Sequence, residues 1–538
     1  MLRRYVLMAC FAIPIAFGQA AEGQAKHARQ APSTPKATRP DVASFTARVL
    51  AILRVTNSER AAWGMEITDR DTGAVLYEVN SDHFFVPASN AKLFTTALAL
   101  ATLGPEYEFH TTLESQADLT SDGRLGGDLV LVGRGDPDLS NRKIPYTIAP
   151  EREGITEKVL AEMADAAVKA GLKEVDGNIV ADDYYFPYDP YPAGWGVGDL
   201  FFRFGAPVSA IAFNDNSMTV DVLSGHRIGD PATVLTQPAV ALDSFTYEIT
   251  TSPANKEPDL AVVRQPGEKF VLVRGTVPLG HKAVTLDLAM PDPAAIAARA
   301  LKQMLEERGV RVTGGIQVRH APPPQTTASG EPILTRDLHP QPESTQRVLA
   351  EHVSQPVLET VRITNKVSQN VHAELLLRMV GRSALGLGST AAGLKVEREF
   401  LRRAGIVDGD VLLSDGSGLA RDDLVTPRAM VALLQYVLRQ PWGQDYVSTL
   451  PVAGVDGTLQ NRMENTVAAS HIQAKTGEIE HARGLSGYAV TLRGERLIFS
   501  IFYNNNAQKG VESSAPIDDI AKAMVEMLGT GGIARKNP

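Results

Sequence analysis

The sequence predicts an α/β protein of the α+β type, in which a five-stranded antiparallel sheet flanked by helices is interrupted by inserted accessory α+β domains. Three observations predict it. Two strand-like runs, 63–69 and 75–80, lie early, and three more, HIQAKTGEI, LSGYAVTL and RLIFSIFYN, lie late. Each group stands beside a helical pattern, at 42–54 and at 516–528, so pairing of the two groups makes one sheet with both helices beside it. At 538 residues the chain exceeds what one hydrophobic core organises, so further domains are expected.

Hydrophobic residues at 44% and charged residues at 21% are globular values and exclude a collagen-like, coiled-coil or largely disordered chain. The net charge of −9 comes with no basic run, which argues against a nucleic-acid partner. The first twenty residues, MLRRYVLMACFAIPIAFGQA, place two arginines before an apolar run and end on Gly18-Gln19-Ala20. This reads as a secretory signal peptide, too short to span a bilayer, and implies export to the periplasm with no transmembrane anchor after cleavage. Leu7-Met8-Ala9-Cys10 faintly resembles a lipidation site and is the competing reading. Cleavage near Ala20 removes Cys10, the one cysteine, so no disulfide is expected.

Residues 21–41 are Ala, Pro and polar residues without periodicity and read as a flexible tether. After the 42–54 helix, Trp63, Met65 and Ile67 alternate in the first strand, and Asp71-Thr72-Gly73 supplies a hairpin turn. Leu93, Leu98 and Leu100 fit a helix over 89–103. From 104 to 345 the texture changes to short strand-like runs with two helical patterns, TEKVLAEMADAAVKAGL and PAAIAARALKQMLEERG. This is the accessory material, expected as two domains with one nested in the other, and APPPQTTASGEP at 321–332 reads as a loop near its end. Residues 42–103 and 346–538 form the main domain, with helical patterns from 355 to 449.

Chemistry concentrates in three short motifs. Ser89-Asn90-Ala91-Lys92 opens a helix, and at i, i+3 a hydroxyl and an amine share a face. Serine needs a base, and lysine serves only if desolvation or a neighbouring cation makes a neutral amine available. Serine in that place also caps helices, and the same spacing recurs at Ser33–Lys36 and Ser140–Lys143. The first recurrence lies in the tether and the second follows a Gly/Asp/Pro turn, so only Ser89 heads an apolar helix. Ser368-Gln369-Asn370 puts a hydroxyl and a carboxamide two residues apart, facing one way if the stretch is extended; helix capping is the alternative. Lys475-Thr476-Gly477 on a sheet edge can bind a carboxylate, with glycine admitting a ligand close to the backbone; a strand ending at a bulge is the alternative.

In the order SxxK, SxN, KTG, the motifs resemble the signature of penicillin-binding proteins and serine β-lactamases. PASNAKLFTTALALATLGPEYEF, GDLVLVGRGDPDL, GAPVSAI, SDGSGLARDDLVTP, LPVAGVDGTLQNR and AKTGEIEHARGLSGY resemble stretches of the class C low-molecular-mass penicillin-binding proteins, the D-alanyl-D-alanine carboxypeptidase/endopeptidase family. The resemblance covers residues 45–530, and the 279 residues from Ser89 to Ser368 match that family's two extra domains. It implies a serine β-lactamase/DD-peptidase-like domain that cleaves peptidoglycan peptides and is acylated by β-lactams. It implies Ser89 as nucleophile, Lys92 as its base and Ser368 passing a proton to the leaving amine. Asn370 would hold the peptide amide, while Lys475 would keep Lys92 neutral by repulsion and, with Thr476, bind the terminal carboxylate. The backbone N–H groups of Ser89 and Glu478 would form the oxyanion hole. No metal and no cofactor is implied.

Glu478 departs from the Thr or Ser common at that position in the family. Its carboxylate would repel a substrate carboxylate unless it points away or pairs with His481 or Arg483. Asp415-Gly416-Ser417-Gly418 reads as a turn, as do Asp136 and Asp138 around Pro137, and His471 and His481 read as surface or hydrogen-bonded residues. Two other functions fit the motifs. A β-lactamase would carry an ExxLN-like stretch, which is missing from the sequence, and a non-catalytic wall-binding protein would not need all three motifs intact.

Overall fold

A computed structural model describes residues 39–529, apart from 56–59, 149, 264–269, 326, 328–332, 334–346 and 508–512. The expected leader, Cys10, the Ser33–Lys36 pair and the tether up to residue 38 lie outside the described residues, as does much of the 321–332 loop. The tether's expected end at 41 is corrected, because the first helix already runs over Pro40–Val55. Proline suits a first helical turn, where its missing N–H is not required.

The early and late strands do form one sheet, in the order Ile472–Ile479, Ala482–Val490, Arg496–Asn504, Ala62–Asp69 and Val75–Val79. Every neighbouring pair is antiparallel, with Met65 opposite Ile501 and Lys475 opposite Ser486. In the central Arg496–Asn504 strand every residue after Arg496 is buried, which requires cover on both faces. The Pro40–Val55 and Ala515–Met527 helices supply one cover, joining Phe45, Val49, Ile517 and Met524 to Met65, Ile67 and Ile501 in one core. The Lys92–Leu103, Asn370–Leu385 and Pro427–Leu438 helices supply the other through Leu98, Leu375, Leu434, Ile498 and Phe502. Full burial of each such side chain contributes about 1.5–3 kcal/mol.

The 355–449 region resolves into five helices: Val357–Lys366, Asn370–Leu385, Thr390–Arg403, Pro427–Leu438 and Gly443–Ser448. Ser389 and Thr426 cap two of them, accepting from the N–H groups of Ala392 and Ala429. A short strand pair not expected from sequence, Val411–Leu412 with Leu424–Val425, closes the loop that carries Ser414 to Asp423.

The two helical patterns of the accessory segment are observed at Lys158–Lys169 and Pro293–Glu307. They share a core, running from Leu113 to Ala350 in sequence, that is separate from the two cores on the five-stranded sheet. The main domain's expected restart at 346 is corrected: Arg347–Val353 pairs antiparallel with His110–Ser115 in the accessory sheet, so the chain enters and leaves the accessory part on neighbouring strands.

Candidate active site

Ser89 sits in a 3-10 turn, Ala88–Ala91, that runs into the Lys92–Leu103 helix. The expected α-helix therefore starts three residues late, and Ser89 makes no capping bond. Ala88 is held at φ +49°, a conformation an alanine adopts only under constraint. Gly418 is part of that constraint: at φ +76° a Cβ there would lie 1.9 Å from the Ala88 carbonyl oxygen.

Lys92 is fully buried. Its Nζ lies 2.8 Å from Ser89 Oγ and donates to the Ser417 carbonyl at 2.6 Å. A neutral amine fits both contacts, donating to the carbonyl and accepting from the hydroxyl. Burial brings this amine down to about 7, against the opposing pull of Asp415, Glu374 and Asp423. Two of those acids are restrained in the same way. Burial, then the Asp415 charge, raises Glu374 to about 8 and Asp423 well above the carboxylate range.

The expected turn around Asp415 is present and has a task sequence reading did not give it. The Asp415 carboxylate accepts from the backbone N–H groups of Ser417, Gly418, Leu419 and Ala420 and from the Trp195 indole. It thereby aims the Ser417 carbonyl at Lys92, while the Ser417 hydroxyl turns back to Asp415 at 3.2 Å.

Ser368 is not on an extended stretch, as the two-residue spacing suggested. It stands at φ +62°, Gln369 caps the helix by accepting from the Val371 N–H, and Asn370 is the first helical residue. Ser368 Oγ accepts from Lys475 Nζ at 2.9 Å. Asn370 Nδ2 donates to the carbonyl of Phe204 at 2.7 Å. Phe204 belongs to the accessory segment and makes this bond through its backbone, so no sequence pattern announces it.

Lys475 and Thr476 lie on the edge strand of the sheet, where alternate N–H groups face away from the neighbouring strand. Lys475 is fully buried; burial, then the charge of Lys92, holds its amine well below the usual lysine range. Thr476 donates to Thr458 Oγ1 at 2.8 Å, a residue sequence reading missed. Gly477 is needed for a different reason from the one expected. What approaches it is the chain itself: a Cβ would lie 2.4 Å from the Pro87 carbonyl oxygen and 2.5 Å from Asn90 Nδ2.

A cavity of about 980 Å³ opens over these groups, lined by Ser89, Ser368, Asn370, Thr476 and Glu478 among others, with Lys92 and Lys475 buried. Glu478 pairs with Arg483 at 3.0 Å. The remaining residues singled out in the sequence have structural partners. His471 and His481 bond the carbonyls of Ala469 and Asn506, Asp136 accepts from the Asp138 N–H, and Lys143 pairs with Glu153 at 3.3 Å. Among the described residues no group of three or more His, Cys, Asp or Glu is arranged to hold a metal ion.

Residues 46–335 and 333–527 match the model of the D-Ala-D-Ala carboxypeptidase 3 (S13) family. The D-alanyl-D-alanine carboxypeptidase of Actinomadura sp. (strain R39) is 33% identical over 491 residues, 89% of this chain and 84% of that protein. The D-alanyl-D-alanine carboxypeptidase DacB of Haemophilus influenzae is 26% identical over 444 residues, 82% of this chain and 84% of that protein. The crystal structure of Haemophilus influenzae penicillin binding protein 4 (dacB) superposes with a TM-score of 0.73 at 24% identity, over 88% of this chain and 98% of that one. The same protein complexed with a novel β-lactam gives 0.69 at 23% identity, over 90% and 98%.

Proposed function

The chain belongs to the D-Ala-D-Ala carboxypeptidase 3 (S13) family, and from that premise we propose how its residues carry out the reaction. It is a serine-type D-Ala-D-Ala carboxypeptidase/endopeptidase of the penicillin-binding kind, acting on peptidoglycan peptides. Ser89 Oγ attacks the carbonyl carbon between two D-alanines while its proton passes to Lys92 Nζ. The backbone N–H groups of Ser89 and Glu478 receive the developing oxyanion. As the C–N bond breaks, the leaving amine takes a proton from the Ser368 hydroxyl, which Lys475 Nζ contacts, and Ser368 recovers it from the proton held on Lys92, so that both groups are restored before deacylation. Water then hydrolyses the Ser89 ester. Asn370 holds the peptide amide, and Lys475 with Thr476 takes the terminal carboxylate.

One observation carries this reading: a buried amine brought down to about 7 lies 2.8 Å from the hydroxyl it must deprotonate. A general base works best with a pKa near the working pH. Penicillins mimic the acyl-D-Ala-D-Ala end and acylate the same serine. The protein acts in the periplasm after export, and the accessory part, from about residue 104 through the Arg347–Val353 strand, forms two domains, one nested in the other. Among the described residues no helix is long and apolar enough to cross a membrane. Incubation with defined cross-linked and pentapeptide muropeptides, followed by mass analysis, tests the activity. Release of D-Ala or of separated stem peptides, with penicillin adding its mass at Ser89, is the expected result. Intact muropeptides would refute it.

A further inference from the structure

The helix that begins at Asn370 is tied to the accessory segment by an ion cluster buried behind its first turn. His372 is fully buried, and its Nε2 lies 3.0 Å from Asp215 Oδ1. Because a carboxylate accepts only, the imidazole proton sits on Nε2. Asp215 is itself fully buried and takes Arg142 Nε at 3.1 Å and the Arg152 guanidinium on its other oxygen. Burial alone would raise the Asp215 carboxyl; the two guanidiniums hold it well below the usual range. Asp138, whose carboxylate accepts from the Gln355 N–H, is a second acid that interacts with His372 by charge.

The backbone beneath this cluster is strained. Asn214, Asp215 and Asn216 stand at φ +49°, +55° and +54°, three consecutive left-handed residues without a glycine. Such strain persists only where surroundings over-determine it. Here Asn214 Nδ2 donates to the Ser217 carbonyl and Asn216 Nδ2 to the Pro207 carbonyl, each at 2.8 Å, and Arg152 donates to Asn214 Oδ1 at 2.7 Å. The strained turn delivers a buried anion to one target on the Asn370–Leu385 helix, His372. Two residues earlier the same helix presents Asn370, whose Nδ2 is held by the Phe204 carbonyl. Among the described residues no hydrogen bond engages Asn370 Oδ1, and Asn370 lines the cavity above Ser89.

We infer that Asp215 is a positioning residue for the substrate amide: through His372 it fixes the first turn of the Asn370 helix, so that Asn370, oriented by the Phe204 carbonyl, meets the amide of the acyl donor. The accessory segment is thereby part of the machinery that selects acylamino substrates. This rests on the reading of Asn370 as the amide-holding residue.

The test compares second-order acylation of the full-length protein by benzylpenicillin, which carries a side-chain amide, and by 6-aminopenicillanic acid, which carries a free amine there. Asn370→Ala should lower the ratio of the two rates roughly threefold to tenfold, the worth of one hydrogen bond. Asp215→Asn and His372→Ala should lower it in the same sense, His372→Gln should restore part of it, and Asp215→Asn added to Asn370→Ala should lower it no further. Thermal unfolding of each variant identifies any that fails to fold; the two His372 variants carry the test if Asp215→Asn does. Equal loss on both compounds, or no change, in the Asp215 and His372 variants while Asn370→Ala shifts the ratio overturns the inference alone. An unchanged ratio in Asn370→Ala overturns the amide role of Asn370 and the inference with it. Absence of any adduct on wild-type Ser89 would overturn the enzymatic reading itself.

Discussion

Arg483 Nη2 lies 3.0 Å from Glu478 Oε1, on neighbouring strands where the two residues face each other in register. Arg483 is buried, and three further N–H groups donate to Ser513 Oγ and to the carbonyls of Ile479 and Ala482. Glu478 thus serves a fixed guanidinium, and its side chain is 63% exposed.

Glu478→Thr should therefore change acylation at neutral pH by less than about fivefold, because an ion pair with one exposed partner is worth about 1 kcal/mol or less. Rates on carboxylate-terminated peptides should move as little as rates on internal cross-links. A gain above tenfold confined to carboxylate-terminated peptides would show that the carboxylate does face the substrate.

Ser89→Ala should abolish covalent labelling by a fluorescent penicillin, and peptide cleavage should fall roughly 10³-fold or more. Ser140→Ala should keep both activities, since Ser140 lies in a loop whose Lys143 is paired with Glu153. Label surviving on the Ser89 variant, read by gel fluorescence, would displace Ser89 as nucleophile.

The motif residues were legible in the sequence because each is a side chain with chemistry of its own at a recognisable spacing. Ser89 and Lys92 meet as i, i+3 geometry requires, and the five strands pair as the early and late strand-like runs beside helical patterns suggested. What sequence concealed are backbone atoms and long-range approaches. The Ser417 carbonyl on Lys92, the Phe204 carbonyl on Asn370 and the Pro87 carbonyl against Gly477 carry no residue-type signal. The sequence also placed all chemistry outside residues 104–345, whereas Trp195 bonds Asp415 and Asp215 bonds His372 across that boundary. The aspartate between two asparagines, Asn214-Asp215-Asn216, was the available clue.

Gly418→Ala and Gly477→Ala should each destabilise the protein by about 1–3 kcal/mol through overpacking and lower penicillin acylation, since both push on the turn that seats Ser89. The atoms in the way are the Ala88 and Pro87 carbonyl oxygens, which cannot rotate aside as a flexible side chain would. Gly126→Ala, where a Cβ meets nothing within 4 Å, should leave both properties unchanged. Thermal unfolding and acylation rates of the three variants check this; a Gly477→Ala protein with wild-type rates would mean that the strand and the turn separate freely.

The pH dependence of acylation should report Lys92. Burial holds its amine near 7, so the neutral, proton-accepting form predominates above that pH and is lost below it. The second-order rate for penicillin should therefore rise through about pH 7 and level off, reporting the free enzyme. Stability follows the same group. An unfolded lysine titrates near 10.4, so between about pH 7 and 10 the unfolded chain binds the proton that the native protein has released. Unfolding free energy from this group rises with pH across that window, because the penalty for burying a charged amine disappears. Glu374 and Glu397, both raised to about 8 first by burial, act oppositely: their contribution is full below the unfolded value and is lost as pH rises through about 8. Lys92→Met separates the two effects. It should abolish acylation and should be more stable than wild type at pH 6, with the difference shrinking as pH approaches 10. Denaturant unfolding at pH 6, 8 and 10 measures it. A constant stability difference across that range would mean that Lys92 keeps an ordinary pKa and cannot be the neutral base at pH 7.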